Sequence, residues 1–196
     1  MKKSYLLISA FAAIFWLCGC ADPVLFSEVF QLEQGQKLYT RHNLWYSDPQ
    51  QISCLNIQNG SFIPAGTEII PVETTWFGDN IRFKNAKTGE LFTIKFNEGY
   101  TLCTMSDYIA ATFTTDTPEK LFKEIRKQAL PRVIRGEVVR GMNEKEVLLA
   151  YGPPPALRTP DRRIQSWLYY KDQENTFRLV FRNGIVRNII YQPSAK

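Results

Sequence analysis

The run "TFRLVFRNGIVRNIIY", Thr176 to Tyr191, constrains the fold of this 196-residue chain more than any other stretch. Phe177, Leu179 and Phe181 alternate with Thr176, Arg178 and Arg182, leaving Val180 as an apolar exception, and a period of two belongs to a strand with one buried face. Asn183-Gly184 in the middle is a strong signal for a type I′ turn, so the run reads as an antiparallel hairpin. The preceding run "IQSWLYYK" alternates too and adds a third strand. A small antiparallel sheet buries one face, and the segments before it can supply the cover. "TPEKLFKEIRKQAL" places Leu121, Phe122, Ile125, Ala129 and Leu130 on one side at helical spacing, with Thr117 as cap, Pro118 in the first turn and Pro131 as the limit. "GMNEKEVLLAYGPPP" predicts a second helix with Asn143 as cap, Glu146 in the capping-box position and a stripe of Val147, Leu148 and Tyr151. Gly152 and the three prolines follow this helix. They therefore stand at its carbonyl end and read as a rigid turn after a packing helix, not as an anion-binding loop.

The first half reads differently. "KLYTR", "QISCLNI", "GTEIIPVE", "NIRFKN" and "LFTIKF" are short β-type runs separated by turn clusters such as "IQNGSFIPAG" and "NAKTGE", which predicts a small barrel or sandwich. Their order resembles that of SH3-like bacterial barrels. The only histidine, His42, lies in the aromatic-rich "LYTRHNLWY", either a packed rim or a groove for peptide or glycan, the rim being the more ordinary reading. Charge also divides the chain: residues 20–116 carry 6 Lys and Arg against 11 Asp and Glu, whereas residues 117–196 carry 16 against 8. Halves of opposite sign imply different surfaces and different neighbours.

The start of the chain predicts its address. Lys2 and Lys3 precede an apolar run from Leu6 to Leu17, which reads as a signal peptide over residues 1–19. "LCGC" resembles the bacterial lipoprotein box, with Cys20 as the acylated residue, and Ala21 after it implies the inner leaflet of the outer membrane. Several acyl chains at about 0.8 kcal/mol per buried methylene suffice for stable anchoring without a spanning helix. Cys18 leaves with the signal, so Cys54 and Cys103 remain as a candidate disulfide in an oxidising compartment, with two buried free thiols as the alternative.

"GMNEKEVLLAYGPP", "WLYY" and "FRLVFRNGIVRNI", in that order over residues 134–191, resemble the SmpA/OmlA domain of outer-membrane lipoproteins, the family of the BamE component of the barrel-assembly machinery. The resemblance implies two helices packed on a three-stranded antiparallel sheet, with Trp167 and Tyr169 in the core. The expected fold class is thus α+β: a lipidated linker at 20–36, a small all-β domain at 37–116 and a BamE-like domain at 117–196. The expected function is a non-catalytic scaffold or partner-binding module in envelope assembly; the alternative is a periplasmic peptide- or glycan-binding sensor or inhibitor-like module. No Gly-x-Ser-x-Gly elbow, His-Glu-x-x-His pair or nucleotide-binding glycine pattern is present, so neither an enzyme nor a cofactor is expected. Expected partners are envelope proteins and, through the basic half, anionic lipid, not nucleic acid. Arg158, Arg162 and Arg163, in the proline-rich crossover "PPPALRTPDRR", are the candidate partner-binding residues.

Overall fold

A computed structural model describes residues 26–72 and 80–193. The fold is α+β, with two hydrophobic cores. A short helix α1 (Phe26–Phe30) leads into the first lobe, whose strands are β1 (Leu38–Thr40), β2 (Leu44–Tyr46), β3 (Ile52–Ser53), β4 (Ser61–Ile63), β5 (Glu68–Val72), β6 (Asn80–Asn85), β7 (Leu91–Lys95) and β8 (Phe113–Thr114). Six form one curled sheet in the order β3-β7-β6-β5-β1-β8, antiparallel except for the β3–β7 pair, while β2 and β4 make a separate two-stranded ribbon. Ile81, Phe83, Phe92 and Ile94 alternate inward from β6 and β7 and meet Phe113 and Ile109 at the centre of the core.

This lobe is not all β. Helices α2 (Glu98–Thr101) and α3 (Met105–Thr112) complete it, each started by a side-chain cap. Asn97 accepts from the backbone of Tyr100, and Thr104 accepts from that of Asp107. The segment expected as a linker also takes part: Phe26 is buried against Phe113, with ring centroids 5.2 Å apart.

The second lobe carries α4 (Pro118–Phe122), α5 (Leu130–Ile134), α6 (Glu144–Tyr151), β9 (Ser166–Tyr170), β10 (Asn175–Arg182) and β11 (Ile185–Pro193). The three strands form an antiparallel sheet ordered β11-β10-β9, in which Phe177 opposes Tyr169 and Tyr191, and Leu179 opposes Trp167 and Ile189. Asn183 and Gly184 both have positive φ, 53° and 69°, as the hairpin turn demands. Val133 of α5 and Val147 and Ala150 of α6 pack into one cluster with Trp167, Tyr169, Phe177 and Leu179. The predicted helix over 117–130 is interrupted: α4 stops after Phe122, and Pro131 opens α5 in the first turn, where its missing N–H costs no hydrogen bond.

Helix α6 begins as its sequence predicts. Asn143 Oδ1 accepts from Glu146 N and Glu146 Oε2 accepts from Asn143 N, both at 2.9 Å. Glu146 is fully buried and also takes Arg126 in a two-pronged pair, Nε to Oε1 at 2.7 Å and Nη2 to Oε2 at 2.6 Å. Burial alone pushes this carboxyl up, but the bonds from Arg126 and Asn143 N outweigh it and leave Glu146 below its ordinary range.

Candidate functional site

A helix leaves its last four carbonyls without partners of its own. At the end of α6 only Leu148 O is satisfied locally, by Gly152 N. The others are taken by the first lobe. Asn43 N donates to Leu149 O at 3.0 Å, and Asn43 Nδ2 donates to Ala150 O at 3.1 Å and to Val133 O at 3.0 Å. Asn56 Nδ2 donates to Tyr151 O at 2.8 Å, and Trp45 Nε1 reaches Ala150 O at 3.4 Å. Tyr169 Oη then donates to Gly152 O at 2.9 Å. Buried asparagines thus serve as the C-terminal cap of a helix from the other half of the chain.

The closeness of the seam explains Gly152. Its backbone, at φ 74° and ψ −177°, is in a region open essentially to glycine. A Cβ there would stand 2.7 Å from His42 Cε1 and Nδ1 and 3.0 Å from Asn56 Nδ2. His42 is buried, with Nδ1 3.1 Å from Asn43 O, the arrangement in which Nδ1–H donates. Burial, with a smaller contribution from Arg41, lowers its pKa to about 4, so the ring is neutral at pH 7. Gly136 repeats the device, since a Cβ on it would meet Trp45 at 2.6 Å.

Beside this seam runs a groove of about 980 Å³. Tyr100, Leu102 and Ala111 come from α2 and α3, Leu148 from α6, and Pro153 to Pro155 from the crossover, so both lobes line it. Tyr100 and Leu102 are 53% and 56% exposed, unusual for large apolar side chains gathered at one place. The charged lining residues are Arg41, Lys145, Arg162 and Arg163 against Asp107 and Asp161. Lys145 pairs with Glu124, and Arg163 pairs with Asp161 at 2.9 Å. Arg41 and Arg162 have no ion-pair partner among the described residues. A second, polar hollow of about 580 Å³ between Trp45, Asp48 and Glu174 borders a turn that already uses Asp172 as acceptor for the backbone of Glu174 and Asn175.

Of the three crossover arginines, the structure brings Arg162 and Arg163 to this groove and leaves Arg158 outside its lining, with its Nε donating to Tyr170 Oη at 3.2 Å. Arg162 also offers its carbonyl to Trp167 Nε1 at 2.9 Å, which ties the crossover to the core. Cys54 and Cys103 both line the groove, but as free thiols, so the expected disulfide is corrected. Elimination identifies which thiols are left over; a bond further requires that the two Cβ vectors meet, which no count of cysteines settles. Burial, and the neighbouring Cys103, push the Cys54 thiol up, away from the reactive thiolate. Cys20 and the signal segment lie outside the described residues.

Sequence reading missed Arg41, Asn43, Asn56, Tyr100 and Leu102. A signal existed for one of them: Asn43 is a polar residue set inside the apolar run "HNLWY", a pattern that asks for a buried partner. Among the described residues no cluster of three potential metal ligands occurs, and no helix is long and apolar enough to cross a membrane. In comparisons with protein-family models, with curated proteins and with solved structures, nothing matches the chain.

Proposed function

We propose that this chain is a lipid-anchored protein of the outer membrane, facing the periplasm, that works as a non-catalytic scaffold by holding an envelope protein at the groove between its lobes. The observation that carries this reading is the groove itself, apolar inside, basic at its margin and built from both lobes. Helices α5 and α6, packed with the three-stranded antiparallel sheet in one cluster, support a BamE-like arrangement and, with it, a place in outer-membrane assembly. The anchor is Cys20, and anionic lipid near it is a second source of contacts for the basic half.

The test is fractionation combined with cross-linking. Cys20→Ser is expected to accumulate as precursor and to leave the outer-membrane fraction, and normal processing with membrane retention would sink the lipoprotein reading. A photo-reactive residue at Leu102 in the anchored protein is expected to capture one defined envelope protein. Capture of glycan or free peptide instead would favour a sensor-like module.

A further inference from the structure

We propose that the groove takes an amphipathic helix with acidic flanks from a protein partner, an inference that rests on the partner-binding reading above and names the chemistry of its ligand. Charge selects the sign. Arg41 of the first lobe and Arg162 of the crossover stand at the groove without ion-pair partners among the described residues, whereas the other two cations lining it are matched within the chain. Against these two cations stands one lining acid without an ion-pair partner among the described residues, Asp107, whose carboxylate accepts from Thr104 Oγ1, so the unmatched charge favours arriving carboxylates over ammonium groups.

Backbone chemistry selects the helix. Pro153, Pro154 and Pro155 line one side and have no N–H to offer, so this wall does not extend as a strand ladder. An occupant of an apolar groove must satisfy its own N–H and C=O groups, and a helix does so internally. The lining combines apolar side chains with charged ones, which suits a helix with one apolar and one wet face. Tyr100 and Leu102, each more than half exposed, are the apolar anchors such a face would cover.

The experiment uses the full chain in zwitterionic lipid nanodiscs, with empty nanodiscs as the blank. It is titrated with a fluorescent helix of about 16 residues, leucine on one face and glutamate on the other, and with the lysine counterpart. The glutamate helix is expected to bind about tenfold more tightly or better, with the preference shrinking as salt rises, and to slow alkylation of Cys103. Arg41→Glu with Arg162→Glu is expected to reverse the preference at an unchanged thermal transition, and Leu102→Asp to weaken both helices about tenfold. Equal affinity for the two probes, or a preference that the double reversal leaves intact, overturns the proposal. Displacement of the glutamate helix by phosphatidylglycerol vesicles lacking any peptide would assign the groove to anionic lipid and overturn it too. The titration requires neither sorting nor a captured partner, so it can fail while the Cys20→Ser test succeeds, and the reverse.

Discussion

His42 fills the space that a side chain at Gly152 would need. Adding a methyl group at Gly152 forces a backbone that only glycine tolerates and pushes into the imidazole at 2.7 Å. Gly152→Ala is expected to cost about 3 kcal/mol or more by chemical denaturation. Gly89→Ala, at a similar φ of 72° but with nothing within 4 Å, is expected to cost only about 1 kcal/mol. His42 adds a pH dependence. Folding holds its pKa at about 4, below the unfolded value of 6.5, so the unfolded chain binds the extra proton first. The contribution of His42 is therefore intact above pH 6.5, falls as pH drops through the window from 6.5 to 4, and levels off below it with a total loss of about 3 kcal/mol from this residue. His42→Gln is expected to flatten denaturation midpoints between pH 6.5 and 5, below which depressed carboxylates such as Glu146 dominate.

At the scale of elements, α6 is capped twice by different means. Its first turn is closed by Asn143 and Glu146, three residues apart; its last by Asn43 and Asn56, 107 and 95 positions from the carbonyls they reach. The consequences of removing each differ. Asn143→Ala is expected to cost about 1 kcal/mol, because water can take over an end that is partly exposed. Asn43→Ala strands Ala65 N inside the protein, takes the amide bonds from Val133 O and Ala150 O, and is expected to cost about 2 to 4 kcal/mol in the same assay. Trp167 anchors the sheet below: it is 1% exposed, packs against Phe181 with ring centroids 4.4 Å apart and planes tilted by 48°, and donates to the crossover. Trp167→Ala is expected to cost about 3 to 5 kcal/mol. The strands of this sheet and the start of α6 were legible in the sequence because alternation, Asn-Gly and a capping box are local patterns. The break between α4 and α5 was not, because Pro131 is as compatible with starting a helix as with ending one.

At the scale of the molecule, two cores share one seam, and the seam is polar where it is deepest. A buried hydrogen-bonded interface of this kind couples the lobes, so the chain is expected to unfold in a single transition seen equally by near-UV and far-UV circular dichroism. Asn43→Ala with Asn56→Ala removes the asparagine side-chain bonds across the seam and leaves both apolar cores untouched, and is expected to separate the two signals; coincident curves in that variant would show that the backbone bond from Asn43 N to Leu149 O and the remaining contacts suffice to couple the lobes. The groove and its charges exist only because the seam sets α2, α3 and the crossover side by side.

The sequence by itself determined what groups within a few residues of each other can settle: the β9–β11 pattern, the turn at Asn183-Gly184, the box at Asn143 and the stop at Gly152. Tertiary structure alone decided what that stop is for, because Gly152 answers to His42 and Asn56, some hundred positions away. It also decided that Cys54 and Cys103 are free thiols, that Arg162 rather than Arg158 faces the groove, and that α2 and α3 interrupt a half that reads as β. Each of these depends on which distant side chains meet, and meeting is set by how two cores pack against each other, a property that no local pattern of residues carries.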